Sequence, residues 1–245
     1  MRALAAWLHR ELPPVPLPGR LDAAAVTIPC AAAALLVVSQ HHVRPANVSR
    51  LLAGHDLGAW GSIAPHLGWF LGDAVLFLLA PVLLLALLGE PLREYGFGPG
   101  RARLGLEVAG ALWVVMLPAV LVAARTPVFA AKYPLADGAT ASAGLFLAYE
   151  AAYWLYFVAW EALWRGFLLF GLYRRVGLPA IYVLALPFAL EHHAKPEPEA
   201  LGSIVAAIAL GYLALRSRSF WWGAVLHAAV ASAMDLAAGW ARLVR

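Results

Sequence analysis

The stretch from residue 150 to residue 175, EAAYWLYFVAWEALWRGFLLFGLYRR, constrains the fold of this chain more than any other feature. It exceeds the ~20 apolar residues that a helix needs to cross a bilayer, yet it contains Glu150, Glu161 and Arg165. A charged side chain near the bilayer centre costs at least ~2.5 kcal/mol on insertion scales, so such residues usually face a protein interior or a wet cavity. We therefore predict a membrane-spanning helix whose acids are candidates for function.

Helical spacing relates these charges to one another. Glu161 follows Glu150 by eleven residues, which at ~3.6 residues per turn returns to nearly the same face, so the two acids can share one cavity. Glu161 and Arg165 are four residues apart and can form an ion pair within the helix. A pair that only holds a helix in register is the structural alternative.

Composition extends this prediction to the whole chain. Of the 245 residues 63% are hydrophobic and 13% are charged, which is typical of a polytopic, all-α membrane protein and not of a soluble domain. We predict seven spans, at about 23–39, 64–89, 104–124, 144–173, 177–193, 201–215 and 220–238. A lone cysteine, Cys30, excludes an intramolecular disulfide and a multi-cysteine zinc site. The sequence contains no signal for nucleic-acid binding.

The chain divides into an interfacial segment at 1–22, N-terminal spans at 23–89 and a core at 90–245. The distribution of Lys and Arg favours an N-terminus on the inner side of a bacterial cytoplasmic membrane. The segments predicted to be inner contain ten such residues: Arg2, Arg10, Arg20, Arg93, Arg101, Arg103, Arg174, Arg175, Arg216 and Arg218. The segments predicted to be outer contain seven: Arg44, Arg50, Arg125, Lys132, Lys195, Arg242 and Arg245.

Three polar segments stand out in the C-terminal half: WEALWRG, FALEHHAKPEPE and HAAVASAMD. Together they supply an acid, a fixed cation and imidazoles from different helices. A carboxylate or histidine can deprotonate a water, which attacks a peptide carbonyl while other donors stabilise the oxyanion. Such a set is therefore suited to peptide hydrolysis.

Other polar residues are less informative. His41, His42 and His55 lack a helical spacing and are predicted at the membrane interface, with metal binding as the weaker alternative. Asp73, in the second span, is either an anchor between helices or part of the site. Glu191 and His193 are expected at the rim of the site.

These motifs resemble the CPBP intramembrane proteases, which include CAAX prenyl endopeptidases and bacteriocin-processing or immunity proteins. The pattern of that family is EExxxR, FxxxH and HxxxN or HxxxD in successive helices. Glu161 and Arg165 match the second Glu and the Arg of the first motif, Phe188 and His192 match the second motif, and His227 matches the third. The resemblance extends over about residues 90–238.

The chain departs from the family pattern at two positions. We interpret it as a member of a diverged branch of that family and not as an inactive copy. Trp160 replaces the first Glu, which is the family's base, and Ala231 replaces the Asn or Asp after the last histidine. The resemblance to branches with a single Glu, a KPxxE stretch and a late acid implies supporting roles for Lys195, Glu199 and Asp235. Glu150 remains an alternative acid, since positions 160 and 161 differ by about 100° in direction.

The resemblance implies a membrane endopeptidase in which Glu161 and His192 activate water while His227 polarises the carbonyl or holds the oxyanion, with help from Asp235. Arg165 is expected to have a structural role, fixing either Glu161 or the loop. No metal is expected, although two or three histidines with a carboxylate would suffice for zinc.

The expected partners are the lipid bilayer and a membrane-protein or peptide substrate. A prenylated C-terminal tail, a sorting tail with a hydrophobic helix and a leader peptide all fit a membrane-embedded site. The alternatives from other classes are a non-catalytic scaffold or immunity protein on the same fold and a small proton-coupled transporter, which the absence of an internal repeat disfavours.

Overall fold

The computed structural model describes residues 22–243, which are helical and contain no β-strand. The all-α fold predicted from the sequence is therefore confirmed for this part of the chain. Apart from Asp22, the interfacial segment predicted at 1–22 lies outside the described residues, as do Arg245 and the N-terminal arginines counted for the orientation. The predicted orientation is not tested by the fold.

The described residues form nine helices joined by short connections. They are α1 (Ala23–Val43), α2 (Pro45–Leu51), α3 (Ala64–Leu87), α4 (Ala102–Ala123), α5 (Pro127–Lys132), α6 (Ala143–Val176), α7 (Pro179–Leu190), α8 (Glu197–Ser217) and α9 (Trp221–Leu243). Short 3-10 turns lie at Gly58–Ser62, Leu92–Tyr95 and Asp137–Ala141.

Five of these helices are long and apolar enough to cross a membrane, namely α1, α3, α4, α6 and α8. The chain is thus an integral, multi-pass membrane protein. Helix α7 has only 12 residues, fewer than the ~20 that span the hydrocarbon. Helix α9 has 23 residues but is not among the five, so the predicted count of seven spans stays a prediction.

Helix α6 is the centre of the bundle. Its most apolar window is 83% buried, against 33% or less for the other four candidate spans. The Ser142 hydroxyl caps its first turn by accepting a hydrogen bond of 3.2 Å from the Leu145 amide. Gly177, with a positive φ of 69°, follows its last residue. Helices α3 and α9 pack along α6, α4 packs on α9, and α7 pairs with α8.

Helix α6 changes its winding in the region that carries the predicted site. Residues Ala162–Phe170 form wide π-helical turns directly after Glu161, and all nine are buried. Such turns shift the side chains that follow them and occur frequently at functional sites. Here the shift does not separate Glu161 from Arg165, which remain in contact.

Candidate active site

Glu161 is a fully buried carboxylate in the middle of α6. Arg165 donates a hydrogen bond of 3.0 Å from Nη1 to Glu161 Oε1, and its own side chain is 4% exposed. The ion pair predicted from their spacing is therefore present. Because removing one partner would leave an uncompensated buried charge, the pair is a strong constraint on this part of the helix.

His227 of α9 contacts the same carboxylate. Its Nδ1 lies 2.9 Å from Glu161 Oε1. A carboxylate oxygen can only accept, so Nδ1 carries the proton and Nε2 of the neutral ring has a free lone pair. The His227 side chain is 20% exposed, whereas that of Glu161 is 0% exposed. His227 thus lies between the buried acid and the cavity that it lines.

Gly223, one helical turn before His227, allows this approach of α9 to α6. A Cβ at position 223 would lie 3.1 Å from Glu161 Oε2 and 3.5 Å from a methyl carbon of Leu210. That spacing is tighter than most side chains accept. Gly223 was not predicted as a site residue, although its i, i+4 spacing from His227 was a usable signal.

His192 follows the end of α7 and is oriented by the FxxxH motif itself. Its Nδ1 lies 2.8 Å from the carbonyl oxygen of Phe188, which likewise assigns the proton to Nδ1 and the lone pair to Nε2. The centroid of the Phe188 ring lies 4.7 Å from that of the His192 ring and 6.4 Å from that of the His227 ring. The Arg165 guanidinium lies over the Phe188 ring, with its central carbon 4.2 Å from the ring centroid. Phe188 therefore joins both histidines to the ion pair.

A cavity of about 300 Å³ brings the two histidines to one space. His192 and His227 both line it, together with Trp160, Tyr133 and other aromatic residues. Neither Glu161 nor Glu150 is among its lining residues. The two acids therefore do not share this cavity, and Glu161 is connected to it only through His227.

The two positions at which the chain departs from the family pattern both face this cavity. Trp160 and Ala231 are lining residues. Trp160 packs among aromatic side chains, with ring centroids 5.7 Å from both Tyr156 and Trp164. The side of α6 on which the family has its base therefore presents an indole here.

A second polar group in the cavity wall consists of Tyr133, Lys195 and Glu199. The Tyr133 hydroxyl accepts a hydrogen bond of 2.6 Å from Lys195 Nζ and donates to Glu199 at 2.6 Å. Burial lowers the pKa of Lys195, against the opposing effect of Glu199. Burial, followed by the charge of Glu199, raises the pKa of Tyr133 well above its usual range, so Tyr133 keeps its proton. Tyr133 was not predicted, because it lies in a loop far from the motifs.

Glu150 and Asp235 form a separate buried group. Ser232 donates a hydrogen bond from Oγ to Glu150 Oε2 and accepts one of 2.8 Å from Trp154 Nε1. Asp235 is fully buried near Glu150 and Tyr149. Asp235 is not bonded to His227 and does not line the cavity.

The remaining predicted residues lie at the edge. Glu191 lines the cavity and lies 3.6 Å from Arg44. Asp73 is buried and accepts a hydrogen bond of 2.7 Å from Trp69, so it anchors a rim residue. The three histidines His41, His42 and His55 are exposed, and among residues 22–243 no group of three or more His, Cys, Asp or Glu could hold a metal ion.

Fold and site together define a multi-pass helical membrane protein with a buried carboxylate–histidine pair beside a cavity. Residues 142–233 match the model of the family described as Type II CAAX prenyl endopeptidase Rce1-like. The match contains Glu161, His192 and His227, and it confirms the resemblance to the CPBP family and supports a CAAX-type intramembrane protease. No curated protein and no solved structure gave a significant match to the chain.

Proposed function

We propose that the chain is an intramembrane endopeptidase that hydrolyses a peptide bond near the membrane-embedded or C-terminal tail of a membrane-associated protein. The observation that carries the proposal is the 2.9 Å contact between Glu161 and His227, with His227 and His192 on one cavity. The family match over residues 142–233 supports the same class of activity. Apolar helices around the site fit a substrate that is itself in the membrane.

His227 is the general base of the proposed mechanism. Its Nδ1–H is held by Glu161, which leaves Nε2 to take a proton from a water in the cavity. The Glu161 carboxylate stabilises the imidazolium that forms, as the acid of a Ser-His-Asp triad does. The protonated ring then delivers that proton to the leaving amine. Arg165 holds Glu161 in position.

His192 is the second polar group at the reacting carbonyl. Phe188 fixes its tautomer, so Nε2 of the neutral ring accepts a hydrogen bond from the attacking water and orients that water toward the carbonyl carbon. These roles differ from those expected from the resemblance, in which Glu161 and His192 act on the water and His227 on the oxyanion. The contact of Glu161 with His227 favours His227 as the base.

The supporting residues have positional roles in this proposal. Lys195 and Glu199, bonded through Tyr133, form the polar wall against which the substrate backbone lies. Glu150 holds α6 against α9 through its hydrogen bond from Ser232, and neither Glu150 nor Asp235 acts on the substrate. Prenylated tails, sorting tails and leader peptides remain the substrate classes to be compared.

A non-catalytic scaffold on the same fold is the second candidate, and one observation favours it. Trp160 occupies the cavity wall at the position of the family's base, and Ala231 leaves the last motif without its amide or acid. A chain that had lost catalysis would retain the Glu161–Arg165 pair for stability alone.

The deciding experiment is cleavage of a membrane-tethered fluorogenic peptide by the purified full chain in liposomes. We expect His227→Ala and His192→Ala to abolish cleavage, and Glu161→Ala to reduce it strongly. His193→Ala is the matched control, because His193 is exposed and does not line the cavity. Thermal unfolding of each variant shows that the fold is retained. Cleavage by His192→Ala and His227→Ala at the wild-type rate would refute the assignment.

A further inference from the structure

A second pocket, away from the cavity, is dominated by arginine. It is open to the surface and has a volume of about 830 Å³. Its charged lining residues are Arg93, Arg101, Arg174, Arg216 and Arg218, with Glu94 as the single acid. These residues come from the connection before α4, the end of α6, the end of α8 and the turn between α8 and α9. The proposed peptidase activity uses none of them.

Most of this positive charge has no protein counter-charge. Arg174 is paired with Glu90 at 2.7 Å and with Glu94 at 3.1 Å. For the other four arginines, no carboxylate oxygen of residues 22–243 lies within the 4.0 Å limit of a salt bridge. A pocket that gathers four such guanidinium groups has a strong positive potential, which attracts anions.

The backbone holds two of these arginines close together. The Arg101 amide donates a hydrogen bond of 2.6 Å to the Ser217 carbonyl, next to Arg218. Gly100 has a φ of +55°, and a Cβ there would lie 2.0 Å from the same carbonyl oxygen, so only glycine permits the contact. Arg218 has a left-handed φ of 58°, a conformation that costs a non-glycine residue about 1–2 kcal/mol.

Aromatic residues at the start of α9 stabilise the contact between Arg101 and Ser217. The Trp221 and Trp222 indoles donate hydrogen bonds of 3.0 Å to the carbonyl oxygens of Phe97 and Pro99. The Phe220 amide donates to the Gly96 carbonyl at 3.3 Å. The connection before α4 is therefore bound to the turn between α8 and α9, and the arginines on both sides are held near one another by the fold.

The position of the pocket suits the headgroup region of a membrane. It lies at the ends of two candidate spans, α6 and α8, and at the start of a third, α4. Phe170 and Arg174 follow Glu161 by nine and thirteen residues, or roughly 14–20 Å along a helix, so the pocket is distant from the cavity. Phe170, Tyr173 and Leu215 add an apolar wall. The first turn of α4, which no side chain caps, begins directly after Arg101 of this pocket.

We propose that this pocket binds a phosphate-bearing anion. Guanidinium groups bind phosphate oxygens through paired N–H donors, and an anion between them offsets the repulsion of like charges held by the backbone. The phosphate is either the headgroup of an anionic phospholipid beside the protein or part of a free phosphorylated molecule. Basic pockets between spans at the membrane surface bind anionic headgroups by the same chemistry.

The test compares lipids that differ only in charge. Short-chain phosphatidylglycerol and short-chain phosphatidylcholine are titrated into the full chain in neutral detergent, and binding is followed by tryptophan fluorescence. Sodium pyrophosphate is titrated in a parallel arm as the free phosphate probe. The test variant is Arg101→Gln with Arg216→Gln, two exposed side chains without hydrogen-bond partners among the described residues. The control is Arg50→Gln with Arg125→Gln, two exposed arginines outside the pocket.

We expect phosphatidylglycerol to bind more tightly than phosphatidylcholine. The affinity should fall about fivefold for each pocket arginine removed, or about 25-fold in the test variant, and should be unchanged in the control. Tight binding of pyrophosphate with the same dependence on the arginines supports the pocket and assigns it to a free phosphate. Equal affinities for the two lipids together with no pyrophosphate binding, or equal losses in test and control variants, would overturn the proposal. Peptide cleavage is not the readout, so failure here leaves the proposed activity untouched.

Discussion

Glu161 of α6 and His227 of α9 are joined by a contact of 2.9 Å between Oε1 and Nδ1, and Arg165 donates to the same oxygen at 3.0 Å. The acid is thus held between a cation of its own helix and an imidazole of another. Only the imidazole lines the cavity. In the proposed mechanism the acid is therefore the partner of the base and not the group that meets the substrate.

Glu161→Gln should lower kcat by about 10⁴-fold and leave KM nearly unchanged. A carboxamide can hold the ring in the wrong tautomer and does not stabilise an imidazolium, which in serine proteases has an effect of about this size. Initial rates in liposomes at several substrate concentrations separate kcat from KM. A change in KM alone would instead indicate that Glu161 contacts the substrate.

Arg165→Met should destabilise the chain by about 3–5 kcal/mol, because it leaves the buried Glu161 without its cation. The double variant Glu161→Gln with Arg165→Met removes both charges and should recover most of that loss, but not the cleavage activity. Denaturant unfolding in mixed micelles measures both differences. If the double variant is as unstable as Arg165→Met, the ion pair is not the cause of the loss.

Lys195 should give the stability a dependence on alkaline pH. Burial lowers its folded-state pKa below the usual 10.5, so the folded chain releases this proton at a lower pH than the unfolded chain. Stability therefore rises as the pH increases from the folded pKa toward 10.5 and is lower by a constant amount at more acidic pH.

The measurement is the unfolding temperature of wild type relative to Lys195→Arg across that range. Arginine keeps the charge and does not titrate there. The wild type should gain stability relative to the variant as the pH rises toward 10.5. A constant difference between the two proteins would show that Lys195 does not titrate as inferred.

Gly100→Ala should destabilise the chain by clearly more than the ~1–2 kcal/mol expected for a left-handed alanine, because its Cβ would also overlap the Ser217 carbonyl oxygen. Gly89→Ala is the matched control. Gly89 has a φ of +70° but nothing within 4 Å of a Cβ, so it reports the conformational term alone. Equal losses of unfolding free energy in the two variants would show that the connection before α4 is not held against the turn between α8 and α9.

Some contacts of the site could be predicted from the spacing of residues within one helix. The Glu161–Arg165 pair depends on a separation of four residues within one helix, and FxxxH brings the Phe188 carbonyl to His192 in the same way. The difference of about 100° between successive positions also agrees with Trp160 lining the cavity while Glu161 does not. Contacts of this kind are set by helix geometry and can be read from one segment.

Contacts between distant segments could not be read in that way. Tyr133 reaches Lys195 and Glu199 from a loop more than sixty residues away. Asp235 lies with Glu150 rather than with His227, and the histidine receives its carboxylate from α6. The number of spans is also undecided by hydropathy, since α7 is shorter than a span and α9 is not among the candidates.

An all-α membrane protein with a charged pair inside an apolar helix could be predicted from the sequence, because apolar length and helical period are properties of single segments. The tertiary structure was needed to show that Glu161 contacts His227, that His192 and His227 line one cavity, and that the arginines form a pocket of their own. Those contacts depend on how helices pack against one another. Close approach at small residues such as Gly223 and Gly100 sets that packing, and no periodicity along a single helix encodes it.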